Sequence, residues 1–80
     1  MQVNPTAFVT NLEEEFENLP VDSISTTSFF REVPGWSSMM ALILIAKIDS
    51  VYSVTISAAE LAESKTVQDL LNLVERKVAA

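Results

Sequence analysis

Neither cysteine nor histidine occurs among the 80 residues of this chain, so neither disulfides nor thiolate metal sites can hold a small fold together. A domain of this size buries only about 60% of its unfolded surface, which leaves stability to the packing of one small core. Hydrophobic residues form 49% of the sequence and charged residues 20%, a balance typical of a folded chain. We therefore expect one soluble domain, residues 1–80, with no metal site.

The chain is strongly acidic, because 11 acidic residues against 5 basic ones give a net charge of −6. Nucleic-acid binding is excluded, since it requires a basic face that neutralises phosphates. The longest apolar run, residues 39–46, is far shorter than the ~20 residues that span a bilayer, and the N-terminus lacks the basic region of a signal peptide. These features predict a cytoplasmic monomer whose negative field attracts partners with positive surfaces.

Helices are predicted from the spacing of apolar residues and from capping residues. The predicted helices span about 5–18, 38–52, 58–63 and 67–77. Asn4 followed by Pro5 is typical of a helix start, Ser57 and Glu60 have the spacing of a capping box, and Thr66 is placed to cap the last helix. The fold class predicted from this pattern is all-α, a four-helix bundle with a short third helix.

A long connection, residues 19–36, separates the first two predicted helices and is rich in serine and threonine. A loop of this length in a small domain is normally functional or attached to the core. Five apolar side chains are predicted to attach it: Val21, Ile24, Phe29, Phe30 and Trp36. Residues 54–56 have strand propensity but no partner strand, so we expect an extended link there.

The second predicted helix has apolar residues on two faces. One arc is expected to face the core and contains Ala41, Leu44, Ile45, Ile48, Val51 and Tyr52. The opposite arc contains Met39, Ile43, Ala46, Lys47 and Ser50. Because three of these residues are apolar where charges would be usual, the outer face is a candidate binding surface.

Catalytic side chains are scarce, so the chain is not predicted to be an enzyme. The lysine nearest in sequence to Ser38, Lys47, lies about two and a half helical turns away and is poorly placed as its base. The acidic residues of 13–17 are expected to form a solvated helix face. Ser37 and Ser38 stand at a helix N-terminus, where the amides and the dipole stabilise an anion such as a phosphodiester. The alternative is that both are ordinary capping residues.

The sequence Trp36-Ser37-Ser38-Met39 resembles the central motif of the acyl carrier protein family, in which many members read Trp-Asp-Ser-Leu. Further positions agree with the family in spacing: Phe30, Leu42, Ile45, Ile48, Tyr52, Ile56 and the Thr66–Leu70 segment. The resemblance implies an acyl-carrier-like bundle in which Ser38, or with less support Ser37, bears phosphopantetheine derived from coenzyme A. The arm would hold an acyl, polyketide or aminoacyl group as a thioester, for fatty acid biosynthesis or for specialised lipid or secondary metabolism.

The chain departs from the family at positions that partners contact. Ser37 replaces an Asp that family members use in recognition by the phosphopantetheinyl transferase, and Met40 and Ile43 replace residues that are often acidic. The expected partners are that transferase and acyl-transferring or acyl-modifying enzymes with basic or apolar docking patches. The predicted docking residues are Ser37, Met39, Met40, Ile43, Ala46 and Asp49. The alternative is an unmodified helical interaction module that docks through the same apolar surface.

Overall fold

The computed structural model describes residues 3–16 and 24–79 of the chain. Four α-helices form there: Pro5–Glu13 (α1), Ser38–Tyr52 (α2), Ala58–Glu63 (α3) and Val67–Ala79 (α4). A short 3-10 turn, Phe30–Glu32, lies in the connection that leads into α2. The described residues contain no strand, and residues 54–56 form a link without regular secondary structure. The predicted all-α bundle with a short third helix is thus confirmed.

The predicted helix starts are confirmed by their caps. The side chain of Asn4 accepts a hydrogen bond from the Ala7 N–H at 3.1 Å, and Pro5 occupies the first turn of α1. At α3, the Ser57 hydroxyl accepts from the Glu60 N–H at 3.1 Å, while the Glu60 carboxylate accepts from the Ser57 N–H at 2.9 Å. These local contacts satisfy amides that have no partner within the helix. They explain why α1 and α3 begin where the sequence indicated.

The first helix is shorter than predicted, because α1 ends at Glu13 and not at residue 18. The N–H groups of Glu15 and Phe16 bond to the carbonyls of Leu12 and Glu13, both at 3.1 Å, which tightens the chain into turns. The prediction was therefore wrong for residues 14–16, and residues 17 and 18 lie outside the described part.

The core contains side chains from all four helices and from the α1–α2 connection. The buried apolar residues are Val3, Phe8, Leu12, Phe16, Ile24, Phe30, Met40, Leu44, Ile48, Ile56, Leu61, Val67, Leu70, Leu71 and Val74. Each fully buried large side chain contributes about 1.5–3 kcal/mol relative to exposure. Four residues of α4 are in this set, Val67, Leu70, Leu71 and Val74, and Val78 is half-buried.

The buried face of α2 is rotated from the predicted arc. Met40, Leu44 and Ile48 are buried, four residues apart, so the centre of the buried face lies at Leu44. Met40 is only 8% exposed, and its predicted place on a docking surface is wrong. Val51, predicted to face the core, is 44% exposed because it lies at the open groove near the C-terminus of α2.

The α1–α2 connection is attached to the core by fewer side chains than predicted. Ile24 and Phe30 are buried and Trp36 is half-buried, whereas Phe29 is 51% exposed. Phe29 has an extended backbone and forms an antiparallel bridge with Thr66, and its side chain is left largely exposed while that of Phe30 is fully buried. The predicted contact of Phe29 with the core was therefore wrong, and Val21 lies outside the described residues.

Two capping carboxylates predict how stability depends on pH. The pKa of Glu60 lies below its ordinary value of 4.5, mainly because the Ser57 N–H donates a hydrogen bond to the carboxylate and, to a smaller extent, because Lys77 does so. The N–H groups of Thr66 and Lys65 hold the pKa of Asp69 below its ordinary value of 3.8. A carboxyl with a pKa lowered by folding binds fewer protons in the folded state. It therefore stabilises the fold above the ordinary pKa, and this stabilisation is lost as pH falls through the lowered value.

We expect the urea midpoint to change little from neutral pH down to about pH 5 and to fall at lower pH. The double variant with Glu60→Gln and Asp69→Asn should show a flatter decline at acidic pH than the wild type. Urea unfolding followed by circular dichroism at several pH values measures this difference. An equally steep decline in the variant would show that these two caps do not cause the acid sensitivity.

Across residues 3–16 and 24–79, every helix is too short or too polar to cross a bilayer.

Candidate functional site

The two serines at the start of α2 have different structural roles. Ser37 is the N-cap, and its hydroxyl accepts a hydrogen bond from the Met40 N–H at 3.3 Å. Ser38 is the first residue of α2 and is exposed, and its hydroxyl makes no hydrogen bond to the described part of the chain. The capping interpretation therefore applies to Ser37, while the Ser38 oxygen is available to form a covalent bond.

The local field at Ser38 favours a negative group. The N-terminus of the 15-residue α2 carries the positive end of the helix dipole, and its first turn contains no acidic residue. An anion in this position is typically stabilised by about 0.3–1 kcal/mol. A phosphodiester on the Ser38 oxygen would therefore be electrostatically favoured.

An aromatic cluster positions the turn that precedes these serines. The Trp36 ring lies edge-on to the buried Phe30 ring with centroids 5.5 Å apart, and 6.3 Å from the Phe16 ring. Gly35 has a φ of 95°, which a residue with a side chain rarely adopts, and the Trp36 N–H bonds to the Val33 carbonyl at 3.1 Å. The path of the chain into α2 is thus fixed by packing on one side and by a turn on the other.

A groove of about 370 Å³ opens beside Ser38 between α2, α3 and the preceding loop. Its wall is mostly apolar and includes Trp36, Ala41, Leu42, Ala58, Leu61 and Ala62. Arg31 is the only charged residue among those that line it in the described structure. The groove can accommodate an elongated group that begins at Ser38.

Arg31 connects the loop to the end of α3. Its guanidinium donates to the Ser64 carbonyl at 2.6 Å and also to the Leu61 carbonyl, and it lies 4.8 Å from the centre of the Phe30 ring. These carbonyls lie at the C-terminal end of α3, where carbonyls lack the usual i+4 partner, and the Leu61 carbonyl also accepts from the Ser64 N–H at 3.1 Å. Sequence reasoning missed Arg31, because no local pattern indicates a contact about 30 residues away.

The outer face of α2 differs in part from the predicted docking surface. Met39, 69% exposed, together with Ala46 and Asp49, lies on this face, and Ser37 is exposed at its start. Ile43 is half-buried against the core. Leu42, 66% exposed, was not among the predicted docking residues, because an apolar side chain gives no sign of exposure in the sequence.

A four-helix bundle that presents a serine at the head of its second helix, beside an apolar groove, has the architecture of a carrier domain. The family model described as "Phosphopantetheine attachment site" matches residues 7–74. The acyl carrier protein of Phytoplasma australiense is 34% identical to this chain over 62 residues, which cover 78% of this chain and 82% of that protein. No solved structure matches the chain.

The chain therefore belongs to the acyl carrier protein family. The prosthetic group of this family is phosphopantetheine, attached covalently, and its members act as carriers and not as catalysts. The resemblance noted from residues 36–39 is thus confirmed at the level of the family. The exposed hydroxyl of Ser38 and the adjacent groove fit such a group.

Proposed function

We propose that the whole chain is a single carrier domain and that Ser38 is the attachment site of its phosphopantetheine arm. The observation that supports Ser38 over Ser37 is the hydrogen bond at 3.3 Å that engages the Ser37 hydroxyl in capping α2. The arm supplies the thiol that a chain without cysteine lacks. The Ser38 oxygen would hold the phosphodiester, and the groove walls would shield whatever the arm carries from water.

The cargo would be an acyl, polyketide or aminoacyl group, held as a thioester for fatty acid, specialised lipid or secondary-metabolite biosynthesis. The protein would be a cytoplasmic monomer and would itself catalyse nothing. A separate phosphopantetheinyl transferase, using coenzyme A and magnesium, would install the arm. The family supports a carried acyl group and a separate transferase, and the scarcity of catalytic side chains, with neither cysteine nor histidine, supports a protein that catalyses nothing itself.

Partner enzymes would dock on the outer face of α2. This face presents Met39, Leu42 and Ala46 with Asp49 at its far end, at the i, i+3, i+7 spacing of one helix side. An exposed apolar surface of this kind favours a partner with an apolar patch, while the net charge of −6 attracts a basic rim. Ile43 is half-buried against the core and would be less accessible to such a partner.

Intact-mass measurement tests the attachment site. Wild-type protein incubated with coenzyme A, magnesium and a broad-range phosphopantetheinyl transferase should gain the mass of one phosphopantetheine. Ser38→Ala should abolish this gain, because the acceptor oxygen is absent. The matched variant Ser37→Ala should still gain the mass, at a stability cost of about 0.5–2 kcal/mol for the lost cap.

Two other outcomes would contradict the assignment. If Ser37→Ala fails to gain the mass of phosphopantetheine while Ser38→Ala gains it, the attachment site is Ser37. No gain in the folded wild-type protein, with a known carrier modified in the same assay, would favour the alternative function. In that alternative the chain is an unmodified interaction module that uses the exposed Met39 and Leu42 for docking.

A further inference from the structure

Arg31 lies in the wall of the groove that opens at Ser38, and the attachment of an arm does not by itself account for a cation there. We propose that the Arg31 guanidinium binds the phosphodiester on Ser38 and thereby positions the first part of the arm along the groove. The inference rests on the proposed attachment at Ser38. It assigns Arg31 a positioning role toward the arm, in addition to its contact with α3.

The guanidinium has donors left for a phosphate oxygen. Its two terminal nitrogens each use one N–H on the carbonyls of Ser64 and Leu61. The Nε–H and the second N–H of each terminal nitrogen remain, arranged in the planar fork that suits phosphate oxygens. Hydrogen bonds between a guanidinium and a phosphate are charge-assisted and stronger than those between neutral groups.

The charge of Arg31 is not neutralised by a carboxylate within the described structure. The ion pairs found there join Lys47 to Glu14 and Lys77 to Glu60. Among residues 3–16 and 24–79, no carboxylate lines the groove and none lies in the first turn of α2. A phosphodiester on Ser38 would therefore meet two positive groups, the start of α2 and the guanidinium, in a protein that is otherwise strongly negative.

Arg31 is also held in place before any arm arrives. The two carbonyl contacts and the Phe30 ring, 4.8 Å away, restrict the rotation of its side chain. Binding a phosphate oxygen then costs less side-chain entropy than it would for a freely moving arginine. The same contacts mean that any substitution of Arg31 also weakens the fold, so stability alone cannot test the proposal.

The test compares the effect of the arm on melting temperature between variants. Wild type, Arg31→Gln, Arg31→Lys and the control Lys47→Gln are each prepared with and without phosphopantetheine, and intact mass confirms the modification. Because each variant is compared with its own unmodified form, the loss of the α3 contacts cancels. Lys47→Gln makes the same change in net charge, at roughly 13 Å along α2 from Ser38.

At low salt, the Tm gain on modification should be about 2–5 °C larger in wild type and Lys47→Gln than in Arg31→Gln. Arg31→Lys should keep part of this gain, because it retains the charge without the fork. The difference between wild type and Arg31→Gln should shrink at about 1 M salt, where exposed charges are screened. Equal gains in wild type and Arg31→Gln at low salt would overturn the proposal.

A measurement without substitution covers the case in which Arg31→Gln does not fold. The chain has only two arginines, Arg31 and Arg76, so their guanidinium N–H resonances in an ¹⁵N-labelled sample can be assigned. Modification should shift the Arg31 resonances and leave those of Arg76 unchanged. Unchanged Arg31 resonances in a fully modified sample would overturn the proposed role of Arg31 but not the attachment at Ser38. A wild-type chain that gains no mass would overturn the attachment at Ser38, and this inference with it.

Discussion

Replacing Phe30 with alanine is expected to lower the free energy of unfolding by about 3–5 kcal/mol. The Phe30 ring is 0% exposed, lies edge-on to Trp36 at 5.5 Å and is covered on one face by Arg31 at 4.8 Å. The variant loses the transfer energy of the ring, leaves a cavity and removes both contacts. A domain below about 80 residues rarely has more than about 3–5 kcal/mol of core stability, so most of the variant should be unfolded.

Phe29→Ala is the matched control, since the neighbouring ring is 51% exposed. Its free energy of unfolding should change by only about 0.5 kcal/mol. Urea unfolding followed by circular dichroism measures both variants, and transferase modification of the folded fraction reports on Ser38. Comparable losses in the two variants would mean that the loop is not attached to the core through Phe30.

The helix starts could be predicted because their causes are local. The cap at Asn4, the reciprocal pair of Ser57 and Glu60 and the cap at Ser37 each involve residues three positions apart. The motif at residues 36–39 placed Ser37 and Ser38 at a helix start, but only the structure shows that Ser37 is the cap. The part of the site formed by α2 itself was therefore accessible from sequence, including the candidate Ser38.

The rotation of α2 could not be predicted, because its apolar residues extend around the helix. Leu42 and Leu44 have the same side chain, so hydrophobicity does not distinguish them. In the structure Leu42 is 66% exposed and Leu44 is fully buried. Their difference is set by where α1, α3 and α4 pack, which is tertiary information. The Arg31 contacts with the end of α3 are non-local in the same way. Because apolar residues extend around α2, its sequence identified neither Met40 as a core residue nor Leu42 as a surface residue.

Substitutions along α2 should distinguish residues that stabilise the core from residues on the exposed outer face, by their effect on the free energy of unfolding. Ile48→Ala is expected to cost about 2–5 kcal/mol, because Ile48 is 1% exposed among Leu44 and the other core residues. Leu42→Ala should change stability by only about 0.5 kcal/mol. Ile43→Ala should fall between them, at about 1 kcal/mol, since its side chain is half-buried. Urea denaturation of the three variants gives this order directly.

The same variants distinguish a docking surface from an inert one. If Leu42→Ala keeps wild-type stability but is modified more slowly by the transferase at limiting carrier concentration, the apolar outer face contributes to binding. Met39→Ala should behave in the same way, since Met39 lies three residues earlier on that face. A normal modification rate in both variants would exclude this face from contact with the transferase. A loss of several kcal/mol in Leu42→Ala would instead show that Leu42 packs against the core and that this part of α2 is not free to bind partners.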